Sequence, residues 1–259
     1  MLSQPDRLPP PGRPAAPPLE HPAPFRLDRP PTPPPSPFVR DFASIDGLAA
    51  AVRYLIIGSI GISLVIAALD AYLIRVLDRS PLFGGLPVTG ARVYDMTGLL
   101  ILLDLLLVIS AGICVMILFK RMMDNGAALN PGSSTYKSHW AITGWIVPFL
   151  SLVRPFQVVR QIWETSRSGD FDRDRRPLPV VSRVWWGLFL VSNTISFSAP
   201  TAPWDGTATI DDFVDEAIGQ LIISLIQSAS GVAFLVLLAS LVPRHRLAIR
   251  AAEHPDRRW

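Results

Sequence analysis

Four long apolar runs constrain the fold of this chain more than any other feature of its sequence. Each is near the length that crosses a bilayer, because a hydrocarbon core of about 30 Å needs roughly 20 helical residues at 1.5 Å per residue. Only 17% of the 259 residues are charged, and most charges lie outside these runs. The pattern predicts an all-α integral membrane bundle with four full spans, at about residues 48–74, 96–119, 180–197 and 217–242.

A fifth apolar stretch, residues 140–163, is interrupted where a span would continue. Pro148 and Pro155 each remove a backbone donor and clash with the preceding helical turn. Arg154 follows an apolar stretch of only about 14 residues, which is about 21 Å of helix and short for a span. We therefore predict a proline-broken element that is either re-entrant or a fifth hydrophobic span.

This 140–163 segment is the candidate functional segment, because irregular backbone at membrane depth is tolerated only against protein or a watery cavity. Its second half is amphipathic, with Gln161 expected on the polar face. The candidate positions are Trp140, Gly144, Trp145, Pro148, Arg154, Pro155, Gln157, Arg160 and Trp163.

The same stretch resembles a known family. The matching residues are Arg121, Asn125, Ser138, Trp140-Ala141, Gly144-Trp145, Pro148, Leu152, Arg154-Pro155-Phe156-Gln157 and Arg160 through Trp163. They resemble the signature of domain-of-unknown-function family 4328, a group of bacterial multi-pass membrane proteins. The resemblance implies a location in the bacterial plasma membrane and no known activity. Ser151 and Gln161 depart from it, standing where the family usually has Asn and Glu.

The basic residues indicate the orientation of the spans. If the 140–163 segment does not cross, twenty-one Lys and Arg residues lie on one side and three on the other. If the segment does cross, the division is fifteen to nine. The positive-inside rule favours the first division, so we expect four full spans with both termini in the cytoplasm.

Three regions divide the chain. Residues 1–43 hold more than half of the 26 prolines and have too little apolar surface to offset the entropy of ordering. We predict a disordered proline-rich cytoplasmic tail, either an inert spacer or a ligand for a cytoplasmic protein partner. Residues 44–252 form the predicted helical transmembrane domain, and residues 253–259 form a short C-terminal tail.

Polar residues inside the spans are the other candidates. Asp70 lies near the outer end of the first predicted span, and Asp104 lies about 12 Å into the second from its outer end, so in an antiparallel pair they could approach each other and share a proton. The alternative places Asp70 at the interface near Arg75, with Asp104 bonded to a neighbouring helix. Gln227 belongs to a polar stripe of the last span, for which helix packing is the simpler explanation.

The ends of the last span carry clear signals. Thr209 and Asp212 have capping-box spacing, and Pro243 followed by basic residues is expected to end the helix. Catalytic signals are weak by comparison. Cys114 is the single cysteine, the four histidines are dispersed with only His139 near the segment, and no nucleophile or phosphate-loop motif occurs. We expect no catalytic residue, metal, cofactor or nucleic-acid partner.

Two classes of function remain open. One is a non-enzymatic structural or regulatory membrane component, in which the basic residues between Arg167 and Arg183 meet anionic lipid or simply fix topology. The other is a small-solute or proton-coupled transporter or channel that uses the broken segment and Asp104.

Overall fold

The computed structural model describes residues 42–78, 88–131, 134–147, 149–166, 177–198 and 209–253. Within these residues the protein is all-helical and has no strand, as predicted. The six α-helices are α1 (Asp46–Asp78), α2 (Val88–Leu129), α3 (Trp140–Ile146), α4 (Arg154–Thr165), α5 (Val180–Ser198) and α6 (Ile210–Glu253), and a short 3-10 turn covers Leu150–Leu152.

Three of the described helices, α1, α2 and α6, are long and apolar enough to cross a membrane. The predicted third span coincides with α5, which carries Arg183, Asn193 and several serines and is not among these three helices. Most of the large apolar side chains of α2 are exposed, as expected of a surface that lipid covers. The structure therefore supports a membrane protein with at least three candidate spans, and the fourth span stays a prediction.

The bundle is built around α1 and α6, which pack against each other along much of their length. Helix α2 packs on the other side of α1, and α5 packs on α6, so the order across the bundle is α2, α1, α6, α5. The crossing of α1 and α6 is close at Gly231, where an added Cβ would lie 2.8 Å from the Ile60 side chain. Helices α2 and α5 lie at opposite ends of this order, which leaves a cleft between them.

The largest apolar core lies at the end of the bundle where α1 begins and α2 and α6 end. Helix α4 packs there, and its apolar face fills the space between the ends of α2 and α6. The fully buried members include Val52, Leu118, Phe119, Met122, Val159, Ile162, Leu237, Leu238 and Leu241. The broken segment is thus part of the core of this end.

The start of α6 agrees with its sequence signals, but its end does not. The Thr209 N–H donates to Asp212 Oδ2 at 2.7 Å, and the Asp212 N–H donates to Thr209 Oγ1 at 3.3 Å, which completes a capping box. The expectation that Pro243 ends the helix was wrong, because α6 continues to Glu253. His245 and Ala248 are buried beyond the proline, so tertiary packing holds this end of α6 in spite of the missing hydrogen bond.

The predicted tails lie almost entirely outside the described residues. The proline-rich tail is described only at positions 42 and 43, and the C-terminal tail only at Glu253. Most of the basic cluster between Arg167 and Arg183 also falls outside them. These three assignments stay predictions.

Candidate functional site

The 140–163 segment contains two short helices that fold back on each other. Helix α3 has only seven residues, about 10 Å of helix, and α4 begins at Arg154 after the 3-10 turn. Pro155 stands in the first turn of α4, where its missing N–H breaks no intrahelical bond. It therefore starts a helix instead of interrupting one. Pro148 lies outside the described residues.

Four of the candidate positions, Trp140, Gly144, Arg154 and Gln157, lie close together where α3 packs against the start of α4. The Arg154 guanidinium lies 4.6 Å from the ring centroids of both Tyr136 and Trp140, and its Nη1 donates to Gln157 Oε1 at 3.0 Å. Gly144 faces Arg154 so closely that an added Cβ would lie 2.8 Å from the Arg154 Cβ. The cation-π contact of Arg154 with Trp140 stabilises the packing of α3 on α4, and the small size of Gly144 allows the two helices to approach closely.

Gln161 joins α4 to the chain that leads into the segment. Its Oε1 accepts from the Tyr136 N–H at 2.8 Å, and its Nε2 donates to the Tyr136 carbonyl at 2.9 Å and to Ser134 Oγ at 2.7 Å. The side chain is only 4% exposed, so its expected place on the polar face of α4 was wrong. A carboxylate here would keep the acceptor and lose both donors.

Trp163 and the end of α4 contact the far end of α6. The Arg244 guanidinium lies 4.4 Å from the Trp163 ring centroid, and Ser166 Oγ lies 2.7 Å from His245 Nδ1. The expectation that only His139 lies near the segment was therefore wrong. No sequence signal linked Ser166, at the end of α4, to His245 of α6, because they lie 79 positions apart in the chain.

The turn between α3 and α4 presents an exposed apolar tip. Phe149 is 84% exposed and adopts a positive φ of 63°, an uncommon conformation for a bulky residue. The exposed apolar side chains of the tip are Ile146, Val147, Phe149, Leu152 and Val153. Arg160 lies away from this tip, exposed on α4, where its hydrogen bond to Glu164 and the charge of that carboxylate raise the pKa of Arg160.

Asp104 and Asp70 occupy separate environments. Both oxygens of Asp104 accept hydrogen bonds from α1, from Ser59 Oγ at 2.6 Å and from Ser63 Oγ at 3.2 Å. Asp70 lies seven residues beyond Ser63, about 10 Å further along α1, and its charged neighbour is Glu216. The structure does not bring the two aspartates together as a pair, and it buries Asp70 away from Arg75, which is exposed.

The cleft between α2 and α5 holds a cavity of about 190 Å³. Residues of α1 and α6 line the side of the cleft between these two helices, and Trp145 of the 140–163 segment lines one of its ends. The Nε1 atom of Trp145 is buried and has no hydrogen-bond partner among the described residues. The lining combines aromatic rings with small and polar residues, including Ser59, Gly112, Trp185, Phe189, Gln227 and Ser230.

Aromatic contacts fix Trp145 in this position. Its ring meets Trp186 edge-to-face at 6.2 Å and Phe189 at 5.8 Å, both on α5. Trp186 Nε1 donates to the Leu152 carbonyl at 3.2 Å, which ties the first turns of α5 to the 3-10 turn. The segment and α5 thus close one end of the cleft together.

Long apolar helices around a largely apolar cleft, with a folded-back hairpin in the core of one end, indicate a helical membrane protein. A family model described as Domain of unknown function (DUF4328) matches residues 90–245, which is more than half of the chain. The protein belongs to this family, as its sequence pattern predicted. No curated protein and no solved structure matches the chain.

Proposed function

We propose that this protein is a non-enzymatic, multi-pass component of the bacterial plasma membrane that binds a membrane lipid in the cleft between α2 and α5. The single observation that carries the proposal is the buried indole N–H of Trp145, which has no partner among the described residues and belongs to a cavity lined largely by apolar groups. In such surroundings an unpaired donor costs free energy that a ligand acceptor would recover.

A lipid fits the chemistry of the cleft better than a water-soluble ligand. The ring faces and aliphatic side chains suit an acyl chain, and the neighbouring surface of α2 is already exposed apolar surface. Tryptophan is typical of the depth at which lipid ester groups lie. An ester carbonyl at the segment end of the cleft would accept the Trp145 N–H while its chain runs towards Asn193 and Gln227.

The surroundings of the polar residues favour binding over catalysis or transport. Ser166 and His245 are hydrogen-bonded but buried, and no described carboxylate bonds to the histidine, so this pair lacks the orienting group and the substrate access of a catalytic triad. Both oxygens of Asp104 are engaged by serine hydroxyls, which supports an anchoring role between α1 and α2 rather than a role in a transport path.

A four-span topology with cytoplasmic termini belongs to this proposal. The end of α4 at Thr165 lies beside the C-terminal end of α2, and Tyr136 at the entry to the segment bonds to Gln161 of α4, which supports a segment that returns to its own side. The proline-rich tail and the basic residues between Arg167 and Arg183 would then face the cytoplasm, where they are available to a protein partner and to anionic lipid.

A cleft-filling variant tests lipid binding. Gly112 lines the cleft and an added Cβ there meets nothing within 4 Å, so Gly112→Leu extends a side chain into the cavity from an uncrowded position. Gly61→Leu is the matched control, because Gly61 also has open space around it but is exposed and outside the cleft. After purification in mild detergent, native mass spectrometry should detect bound lipid on the wild type and the control and a loss of most of it on Gly112→Leu.

The role of the indole N–H is tested separately. Trp145→Phe keeps an aromatic ring against Trp186 and Phe189 but removes the donor. We expect weaker lipid retention with unchanged thermal stability of the lipid-free protein. Equal lipid occupancy in the wild type, Gly112→Leu and Trp145→Phe would overturn the proposal.

A further inference from the structure

A second cavity lies near the opposite end of the bundle, away from the segment and the cleft. Its volume is about 210 Å³, and it is enclosed by α1, α2 and α6. Leu73, Leu77 and Ala217 form a small separate apolar core beside it, and Leu73 and Ala217 also line the cavity. The polar residues that line it are Asp70, Tyr94, Thr97, Glu216 and Gln220.

Two carboxylates line this cavity. Asp70 is only 2% exposed, and its Oδ2 atom is buried with no hydrogen-bond partner among the described residues. Glu216 of α6 lines the same cavity and carries a charge of the same sign. Glu216 is held in place by the Tyr94 hydroxyl, which lies 3.1 and 3.3 Å from its two oxygens. The arrangement concentrates negative charge in a buried space.

Two further oxygens line the same space. The Thr97 hydroxyl is buried and has no hydrogen-bond partner among the described residues. It lies on α2, so the three helices each contribute an oxygen to the cavity. The Gln220 amide nitrogen donates to Ser224 Oγ at 3.4 Å, which leaves its amide oxygen available. An unpartnered carboxylate oxygen and an unpartnered hydroxyl at one cavity indicate a missing ligand, because buried polar groups are normally satisfied.

We propose that this cavity binds a hydrated divalent cation of the Ca²⁺ or Mg²⁺ type, held by Asp70 and Glu216 with oxygens from Thr97 and Gln220. Oxygen ligands with two carboxylates suit hard cations, which neutralise both charges. Among the described residues, no group of three or more His, Cys, Asp or Glu side chains is placed to hold a metal ion. The proposed site therefore has four protein oxygens, and water completes the coordination of the cation. The cavity has room for it, since a water occupies about 30 Å³ in the liquid.

The cavity is within reach of a solution cation. Asp70 lies eight residues before the end of α1, and Glu216 lies six residues after the start of α6. These separations correspond to about 12 Å and 9 Å of helix, which places the site near the water interface instead of the bilayer centre. The site is independent of lipid binding, because none of its residues lines the cleft.

The test uses the full chain purified in mild detergent and freed of metals by a chelator. Thermal unfolding is followed while CaCl₂ or MgCl₂ is added, with NaCl at matched ionic strength as the salt control. A cation that binds only the folded protein raises the Tm in a saturable way. We expect this rise with at least one divalent cation, and none with NaCl.

Variants assign the effect to the cavity. Asp70→Asn keeps the shape of the side chain and should raise the apparent Kd at least tenfold, and Thr97→Val should raise it severalfold while leaving both carboxylates in place. Asp104→Asn is the matched control, because this buried aspartate lies outside the cavity and should leave the Kd unchanged. If Asp70→Asn fails to fold, Thr97→Val alone decides. A missing Tm rise, an equal rise with NaCl, or an unchanged Kd in the folded cavity variants would overturn the proposal.

Discussion

The side-chain amide of Gln161 binds both backbone polar groups of Tyr136, accepting from its N–H at 2.8 Å and donating to its carbonyl at 2.9 Å. The two residues lie 25 positions apart, before α3 and within α4. The Gln161 amide, which both donates and accepts, thus joins α4 to the residues that lead into α3. The polar contact is buried, so each of its hydrogen bonds matters to stability.

Gln161→Glu should destabilise the protein although the side chain keeps its size. The carboxylate retains the acceptor but loses the donors to Tyr136 and Ser134, which leaves a buried charge facing a carbonyl. We expect a loss of about 1 to 3 kcal/mol in the free energy of unfolding, seen as a lower Tm in detergent. Gln157→Glu is the control, because Gln157 only accepts a bond from Arg154 and should lose little stability. Equal Tm values for the two variants would contradict the assigned role.

Asp104→Leu should cost about 0.6 to 2 kcal/mol, the range for hydrogen bonds between membrane helices. The change removes the acceptor for both Ser59 and Ser63. Asp104→Asn should cost less, because its amide oxygen still accepts. Asp124→Asn serves as a surface comparison, since the Lys120–Asp124 pair is exposed and such pairs contribute little. A cost at Asp104 no larger than that at Asp124 would show that the serine contacts do not hold the helices.

Gly126→Ala should separate α4 from α2. An added Cβ at Gly126 would overlap the Thr165 hydroxyl oxygen and lie 2.9 Å from the Thr165 Cβ. Because Thr165 is buried, we expect about 1 to 3 kcal/mol of destabilisation from overpacking. Gly61→Ala should be neutral or slightly stabilising, since its added Cβ meets nothing within 4 Å and Ala favours helix. Thermal unfolding of both variants side by side measures the difference.

Reporter fusions test the proposed topology. Under a four-span arrangement with cytoplasmic termini, fusions should report inside, outside, inside, outside and inside. The fusion points in that order are Asp41, Pro87, Arg173, Gly206 and Arg250. An external signal at Asp41 would favour five spans, with the 140–163 segment crossing the membrane.

The helices and the location of the special segment could be predicted from the sequence. Apolar runs near the length of a bilayer span are local properties, and they fall within α1, α2, α5 and α6. The Thr209–Asp212 capping box is equally local and is present. The continuation of α6 past Pro243 was missed, because the contacts that stabilise its end come from the start of α1 and from α4.

The sites depended on contacts that no local pattern encodes. Asp70 shares a cavity with Glu216 of α6 and does not pair with Asp104, and His245 contacts Ser166. The rotation and crossing of packed helices decide which faces touch. The cleft exists because α2 packs on α1 and α5 packs on α6, so α2 and α5 stand apart with α1 and α6 between them. The sequence by itself determined which stretches become helices in a membrane, since burial of apolar length drives that choice. Only the tertiary structure decided which polar groups share a cavity, because side chains far apart in the chain meet only after the helices have packed.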